Sequence, residues 1–304
     1  MRSNLEAIRK RTDKPFNVNF FCHQPPKPDS KREAAWRSAL SPYYAELGID
    51  ANSIPTGPGR KPFDEEAADL LEEFRPAVVS FHFGLPSAGL MARVKALGSV
   101  ILASATTIEE ALWLEERGVD AIIAQGLEAG GHRGMFLSED LTTQVGTFAL
   151  LPEIVREVKL PVIAAGGIAD ATGVRAAITL GATAVQVGTA YLLCPEATTN
   201  PAHRQALKSQ AARHTAVTNI FSGRPARGIV NRLIRELAPI NNSAPAFPLA
   251  AAAIAPLRAK AESRGDDGFS PLWCGQNATG CAEIPAGRLT KALASDGLGT
   301  DVSA

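Results

Sequence analysis

Short runs of consecutive apolar or β-branched residues recur along the first two thirds of the chain. They are separated by longer segments in which apolar positions return every three or four residues. That alternation predicts βα units around a parallel sheet. Six strands are expected: Phe16 to Cys22, Ala77 to His82, Ser99 to Ala103, Ala121 to Ala124, Val162 to Ala165 and Ala184 to Val187. Several are apolar at successive positions, as in parallel strands covered on both faces. Between them, Thr107 to Arg117 reads as a helix with a threonine cap, acidic Glu109 and Glu110 in its first turn and a stop at Gly118. Asp170 to Leu180 opens likewise and stops at Gly181.

Beyond Thr189 the alternation gives way to Asn, Pro and Ser clusters and amphipathic stretches, which predicts a mostly helical second region from about Ala190 to Gly275. The proline- and glycine-rich segment Gln24 to Pro62 reads as an irregular excursion with one helix around Lys31 to Leu40. The expected division is therefore a barrel formed by residues 1–190 and 276–304, with 191–275 as a helical domain inserted before the C-terminal segment. The fold class is α/β. Six strands cannot close the circle that eight strands close. Two architectures stay open: a doubly wound sheet, or a TIM-type (β/α) barrel missing its first two strands.

Composition narrows the partners. Lys plus Arg and Asp plus Glu balance at 31 each, so no basic field favours a nucleic acid or an anionic membrane, and a small molecule is the expected ligand. No apolar run is long enough to span a bilayer, since Pro245, Pro248 and Pro256 interrupt the alanine-rich stretch Ala244 to Ala261. The opening MRSNLEAIRKRTDK lacks the apolar core of a signal peptide. A soluble, cytoplasmic protein is expected. Cys22, Cys194, Cys274 and Cys281 form no CxxC pair and have no histidines at zinc spacing, so free thiols and no metal are expected.

The strongest chemical signal is a pair of strands ending in glycine. One runs through Ile163-Ala-Ala-Gly-Gly-Ile168, with Gly166 and Gly167, and the other through Gln186-Val187-Gly188-Thr189. Bare backbone at a strand end lets N–H groups approach an anion, and consecutive turns of this kind make the phosphate site after the last two strands of a βα barrel. Tight strand-to-helix turns alone would also explain the glycines. His132, between glycines in Gln125-Gly-Leu-Glu-Ala-Gly130-Gly-His-Arg-Gly134, is the candidate base, with an ordinary pKa of about 6.5; a loop-capping histidine is the alternative. His82 in Ser80-Phe-His-Phe-Gly84 sits at another strand end, as a second site histidine or a satisfied core residue. Asn17 and Asn19 share one strand face, as ligand contacts or as an inter-strand bridge. Arg224 and Arg227, in Ser222-Gly-Arg-Pro-Ala-Arg-Gly228, suit an anion or a surface loop equally.

In order along nearly the whole chain, KPFNVNFFCH, VSFHFG, QGLEAGGHRG, AAGGIADATGVRAA, AVQVGTAYLLCPE, SGRPARG and WCGQ resemble the successive motifs of class I nitronate monooxygenases, formerly 2-nitropropane dioxygenases. The resemblance implies a βα barrel holding non-covalent FMN, with a helical domain closing the substrate pocket. It implies that Gly167 and Gln186 to Thr189 meet the FMN phosphate and ribityl chain. Asn19, Gln125 and Gly130 would then lie along the flavin, with His132 as base and His82 in the pocket wall. The implied reaction is oxidation of alkyl nitronates, propionate 3-nitronate above all, by dioxygen to an oxo compound with nitrite or nitrate, through one-electron transfer to the flavin. The implied partners are the nitronate and dioxygen alone, with a monomer or weak homodimer.

Family members begin with a strand-helix-strand segment carrying a QAPM-like strand and a GGLGS-like turn. Neither appears in this sequence, so an amino-terminally incomplete barrel is expected. Three rivals accompany this reading: a related NAD(P)H-dependent flavin reductase acting on enoyl-acyl-carrier-protein or quinone, an inactive truncated remnant, and a cofactor-free phosphosugar isomerase. The isomerase is disfavoured because no carboxylate and lysine pair accompanies the phosphate glycines.

Overall fold

The computed structural model describes residues 1–50, 54 and 59–295. Its first half runs α1 (Arg2–Arg9), β1 (Asn17–Phe21), α2 (Ser30–Leu47), α3 (Glu65–Phe74), β2 (Val78–His82), α4 (Ala88–Ala96), β3 (Val100–Ala105), α5 (Ile108–Glu116), β4 (Ala121–Gln125) and β5 (Gly131–His132). Its second half runs α6 (Thr147–Glu157), β6 (Val162–Ala165), α7 (Ala171–Thr179), β7 (Ala184–Gln186), α8 (Pro201–Lys208), β8 (Thr215–Thr218), β9 (Ala226–Ile229), α9 (Arg232–Leu237), α10 (Ala250–Glu262) and α11 (Ala286–Leu293).

The six expected strands pair side by side, all parallel, in the order β1-β2-β3-β4-β6-β7. A doubly wound sheet reverses its strand order at a switch point; this order never reverses. Asn17 on the first strand and Gln186 at the end of the last line one cavity, so the sheet curls as the wall of a TIM-type (β/α) barrel does. The helices are set by local chemistry. Thr107 caps α5 and Asp170 caps α7, the latter accepting from Gly173 N at 2.8 Å. Val79, Phe81, Ile101, Ile122, Leu151 and Ile154 fill the layer between sheet and helices. Val187, expected inside the last strand, lies just past its end.

A second core forms around α2 and α10. The helix expected around Lys31 to Leu40 runs on through Pro42 to Leu47 and ends at Gly48 with φ 66°. Its Trp36 and Tyr44 explain the extra length. The indole N–H donates to Ala250 O at 3.3 Å and the phenol to Ala253 O at 2.7 Å, so both large rings are buried with their polar ends satisfied. Region 191–275, expected to be mostly helical, holds α8, α9 and α10 together with the hairpin β8–β9. That hairpin takes β5 as a third antiparallel strand. The loop after β4 is thereby stitched into the second region. Past residue 276 the chain returns to the barrel, where Leu289 and Leu293 of α11 pack with Ala190 and Cys194. Parts of the expected excursion (51–53, 55–58) and of the expected C-terminal barrel segment (296–304) lie outside the described residues.

Candidate functional site

The two glycine-ended strands meet at one cavity of about 310 Å³, lined among others by Gln125, Gly130, Gly166, Gly167, Gly188 and Thr189. Gly166 takes φ 112° and Gly167 φ 76°, backbone that side chains rarely adopt, so the chain turns from β6 with its amides bare. Among the described residues the N–H groups of Gly167 and Gly188 have no acceptor. A Cβ built on Gly188 meets nothing within 4 Å. Two free backbone donors beside open space fit an anion's oxygens. The nearest carboxylate, Glu128, does not oppose this strongly. Both its oxygens accept from Thr147 N, at 3.0 and 2.8 Å, where they cap α6 in place of Gly146.

A second cavity, of about 400 Å³, shares Gln125, Gly130 and Gln186 with the first and continues along the strand ends to Asn19, His82 and His132. Asn17 Nδ2 donates to Ser80 Oγ at 2.8 Å and Ser80 Oγ to Asn19 Oδ1 at 2.9 Å, across the β1–β2 register. The two asparagines therefore both bridge the strands and line the cavity. The Asn19 amide N–H₂ is left free. Gln125 turns both ends of its amide to the loop: Nε2 donates to His132 O at 3.0 Å and Oε1 accepts from Gly134 N at 2.7 Å. Gly130 is required by contact rather than by dihedral, since a Cβ there would stand 2.5 Å from Gly275 N.

His132 sits in β5, opposite Ala226. Its ring lies 5.4 to 5.9 Å from the rings of Phe21, Phe83, Phe247 and Trp273. Nε2 lies 2.9 Å from Ser222 Oγ, and that hydroxyl donates to Arg224 O at 3.2 Å. On this network Nε2 carries the proton and Nδ1 a lone pair. The aromatic surround desolvates the ring and, with His82, Arg224 and Arg60 opposing a further positive charge, lowers its pKa to about 3. The expectation of a base titrating near neutrality is thus corrected: the imidazole is neutral at pH 7 and holds a proton weakly.

His82 is also driven down, to about 4, by burial first and then by Arg224 and Arg133. Its Nε2 must donate to His132 O at 3.2 Å, so Nδ1 accepts from Ser104 Oγ at 3.0 Å. Both nitrogens are committed, and His82 holds the His132 backbone in place. The chain leaves it through Phe83, at φ 70°, and Gly84, at φ 84°. Phe83 stacks under the Arg224 guanidinium at 4.1 Å. Arg227 is spent internally on Leu127 O, at 2.9 Å, and on Thr215.

The sequence reading missed Arg133 and Glu110. Arg133 is fully buried and donates to Gln125 O and Gly126 O at 2.7 Å and to Gln144 Oε1 at 3.1 Å. Gln144 in turn donates to Thr106 Oγ1 at 3.0 Å, and Thr106 to Glu110 Oε2 at 2.8 Å. Glu110 Oε1 accepts from Phe136 N at 2.5 Å, closing the loop that carries His132. Burial lowers the Arg133 pKa to about 10, which leaves it charged. No periodicity marks such residues; the only sequence signal for Arg133 was its place within the glycine-rich loop. Ser222, Phe247 and Trp273 were equally invisible as partners of His132, being 90 or more residues away along the chain.

No helix among the described residues is long and apolar enough to cross a membrane, and no group of three His, Cys, Asp or Glu residues among them could hold a metal ion.

Comparison with known proteins agrees with this architecture. The family model described as nitronate monooxygenase matches residues 1–296. The nitronate monooxygenase of Pseudomonas aeruginosa is 44% identical, over 97% of this chain and 85% of that protein. The structure of the nitroalkane oxidase of Streptomyces ansochromogenes superposes with a TM-score of 0.86 at 36% identity, over 97% of this chain and 83% of that one. FabK from Thermotoga maritima follows at 0.67 and 27%, over 96% and 78%. A match of the family model across nearly the whole chain, joined to relatives of this identity and coverage, makes this chain a member of the nitronate monooxygenase family.

Proposed function

We propose that this protein oxidises alkyl nitronates, among them propionate 3-nitronate, with dioxygen to an oxo compound and nitrite or nitrate, using FMN. The observation that carries the reading is the run of two joined cavities from the glycine turns to His132, inside a chain of this family. The residues fit the cofactor. Gly166, Gly167, Gly188 and Thr189 offer bare backbone to its phosphate, and Gln186 and Asn19 offer free amides along the strand ends, where the ring would lie. When bound, FMN supplies the electron transfer between nitronate and dioxygen.

The protein's own part is positioning and electrostatics. A neutral His132 puts no positive charge of its own beside the substrate, but Arg224 and Arg60, which press it toward neutrality, favour an anion in the space it lines. A base with a pKa near 3 has little drive to take an α-proton from a neutral nitroalkane. An already ionised nitronate needs no such step, and the site suits it better. Residues 191–275 bring Ser222, Phe247 and Trp273 against His132.

The test is an absorbance scan of the purified protein followed by oxygen uptake on adding propionate 3-nitronate without nicotinamide. Flavin bands and prompt uptake support the reading. A flavin that is reduced by NADH or NADPH, with no nitronate-dependent uptake, overturns it in favour of a reductase; a colourless, inactive protein overturns it in favour of a remnant.

A further inference from the structure

Trp273 lines the glycine-turn cavity and also a third cavity, of about 570 Å³, that His132 shares with α10; no other described residue stands in both walls. Its ring lies 5.4 Å from the His132 imidazole and 5.8 Å from Phe221. The indole is thus a partition within the site. In close-packed surroundings a small shift of it changes the space beside the imidazole on both sides.

The backbone carrying Trp273 is held from two directions. Downstream, Gly275 N donates to Thr189 Oγ1 and Gln276 N to Glu128 O, both at 2.9 Å, and just before the indole Ile229 N donates to Leu272 O, also at 2.9 Å. Upstream, the hold converges on one carboxylate. Glu262 Oε1 accepts from Ser270 Oγ at 2.7 Å, from Arg258 Nε at 2.8 Å and from Asn200 Nδ2 at 3.0 Å. Ser270 is buried and stands three residues before the indole. Asn200 caps α8, accepting from His203 N at 2.8 Å, and the His203 imidazole is within hydrogen-bonding reach of the Trp273 backbone. One oxygen therefore reaches Trp273 by two routes.

The helix itself gives no reason for a carboxylate here. Glu262 is the last residue of α10, the end at which the helix dipole favours a cation. Its partly exposed pair with Arg258, one turn earlier, adds little by itself. What the position gains is a charged acceptor for Ser270 and Asn200, stronger than a neutral one.

We propose that Glu262 is a positioning residue for the reaction at His132: through Ser270, and through Asn200 and His203, it sets the Trp273 indole against the imidazole. The activity arm of its test rests on the nitronate reading above, and the spectroscopic arm does not.

The chain has three tryptophans, Trp36, Trp113 and Trp273. Labelling with 5-fluorotryptophan should give one fluorine resonance for each, with that of Trp273 assigned by its loss in Trp273→Phe. Spectra are recorded for the parent protein, Glu262→Leu, Ser270→Ala and Arg258→Gln, alongside flavin content and oxygen uptake with propionate 3-nitronate. The expected result is a Trp273 line shifted or broadened in Glu262→Leu and, less, in Ser270→Ala, with the other two lines in place. Flavin content should hold, since the bonds to Thr189 and Glu128 remain. The fall should lie in kcat, about tenfold in Glu262→Leu and threefold in Ser270→Ala, with KM within twofold. Arg258→Gln, which removes the ion pair but neither route to the indole, should leave the Trp273 line where it is. A Trp273 line unmoved in Ser270→Ala and Glu262→Leu overturns the proposal, as does one that moves equally in Arg258→Gln or movement of all three lines together. If Glu262→Leu does not fold, Ser270→Ala decides by the same criterion. If no nitronate is oxidised, the reaction assignment fails, and the fluorine spectra still decide whether Glu262 sets the indole.

Discussion

The two ends of the site are built by different means. At the glycine end the turns are local: β6 and β7 each stop, turn and start the next segment within a few residues, with Asn277 Nδ2 on Gly167 O, at 3.0 Å, and Gly275 N on Thr189 Oγ1, at 2.9 Å, reaching in from farther along the chain. At the histidine end nothing is local. His132 is held by Ser222, crowded by Phe21, Phe83, Phe247 and Trp273, and tied down through its own carbonyl by Gln125 and His82. A site end made of backbone tolerates change in distant side chains. One made of side chains from six segments is only as firm as the loop that carries it.

The largest break in that comparison should come from Arg133→Met. The substitution takes the Arg133 donor from buried Gln125 O and Gln144 Oε1 and leaves Gly126 O with Ala129 N alone, a loss on the order of 3 kcal/mol. Urea unfolding should register it. The histidine end should suffer first, so that what protein remains folded at low denaturant has lost activity out of proportion to its flavin content. Equal loss of both would mean that the two ends are not separable.

Acid comes next. His132 and His82 carry pKa values lowered to about 3 and about 4 from 6.5, so the unfolded chain binds their protons more readily than the folded one. Their stabilising effect is complete above pH 6.5 and is lost as pH falls from there toward 4 and below. At about 1.4 kcal/mol per pH unit for each group, the pair should cost roughly 2 kcal/mol apiece by pH 5. Melting curves at pH 7 and pH 5 test this. His132→Asn should lower the difference, and an unchanged difference would place the acid sensitivity elsewhere.

The same contrast explains what was legible in the sequence. The strands, the caps at Thr107 and Asp170 and the glycine turns are local statements, written in residues next to the geometry they cause. His132 and His82 could be picked out as residue types, but not the pKa of either, because depression to about 3 comes from rings and guanidiniums brought in by tertiary packing. The passage of α2 through Pro42 has the same origin: Trp36 and Tyr44 gain more from α10 than the proline costs. The short strand β5 is also set from outside, by pairing with β9 far along the chain.

At the glycine end the comparison can be sharpened with two alanines. Gly166→Ala forces a side chain into φ 112° with its Cβ 2.9 Å from Ala129 N, so a stability loss of about 1–3 kcal/mol is expected. Gly188→Ala meets open space and negative φ and should change stability by less than about 0.5 kcal/mol. It should still lower flavin retention through gel filtration, since the methyl group takes room beside the free N–H. A Gly188→Ala protein that keeps its full flavin complement would remove this turn from the cofactor site.

A modest effect on activity should be that of Ser222→Ala, which reaches the histidine end alone. It removes the bond to His132 Nε2, at 2.9 Å, together with the hydroxyl's contacts to Arg224 O and N, at 3.2 and 3.4 Å, and leaves His132 in its aromatic surround. A net loss near 1 kcal/mol corresponds to about a fivefold fall in kcat/KM for a nitronate, with flavin content unchanged and with recovery in Ser222→Thr, which restores the hydroxyl. Because Ser222 belongs to the second region and His132 to the loop after β4, this one bond reports whether the two regions act together on the imidazole. If the alanine variant matches the parent protein, the orientation of His132 is set by Gln125, His82 and the surrounding rings without help from the second region's hydroxyl.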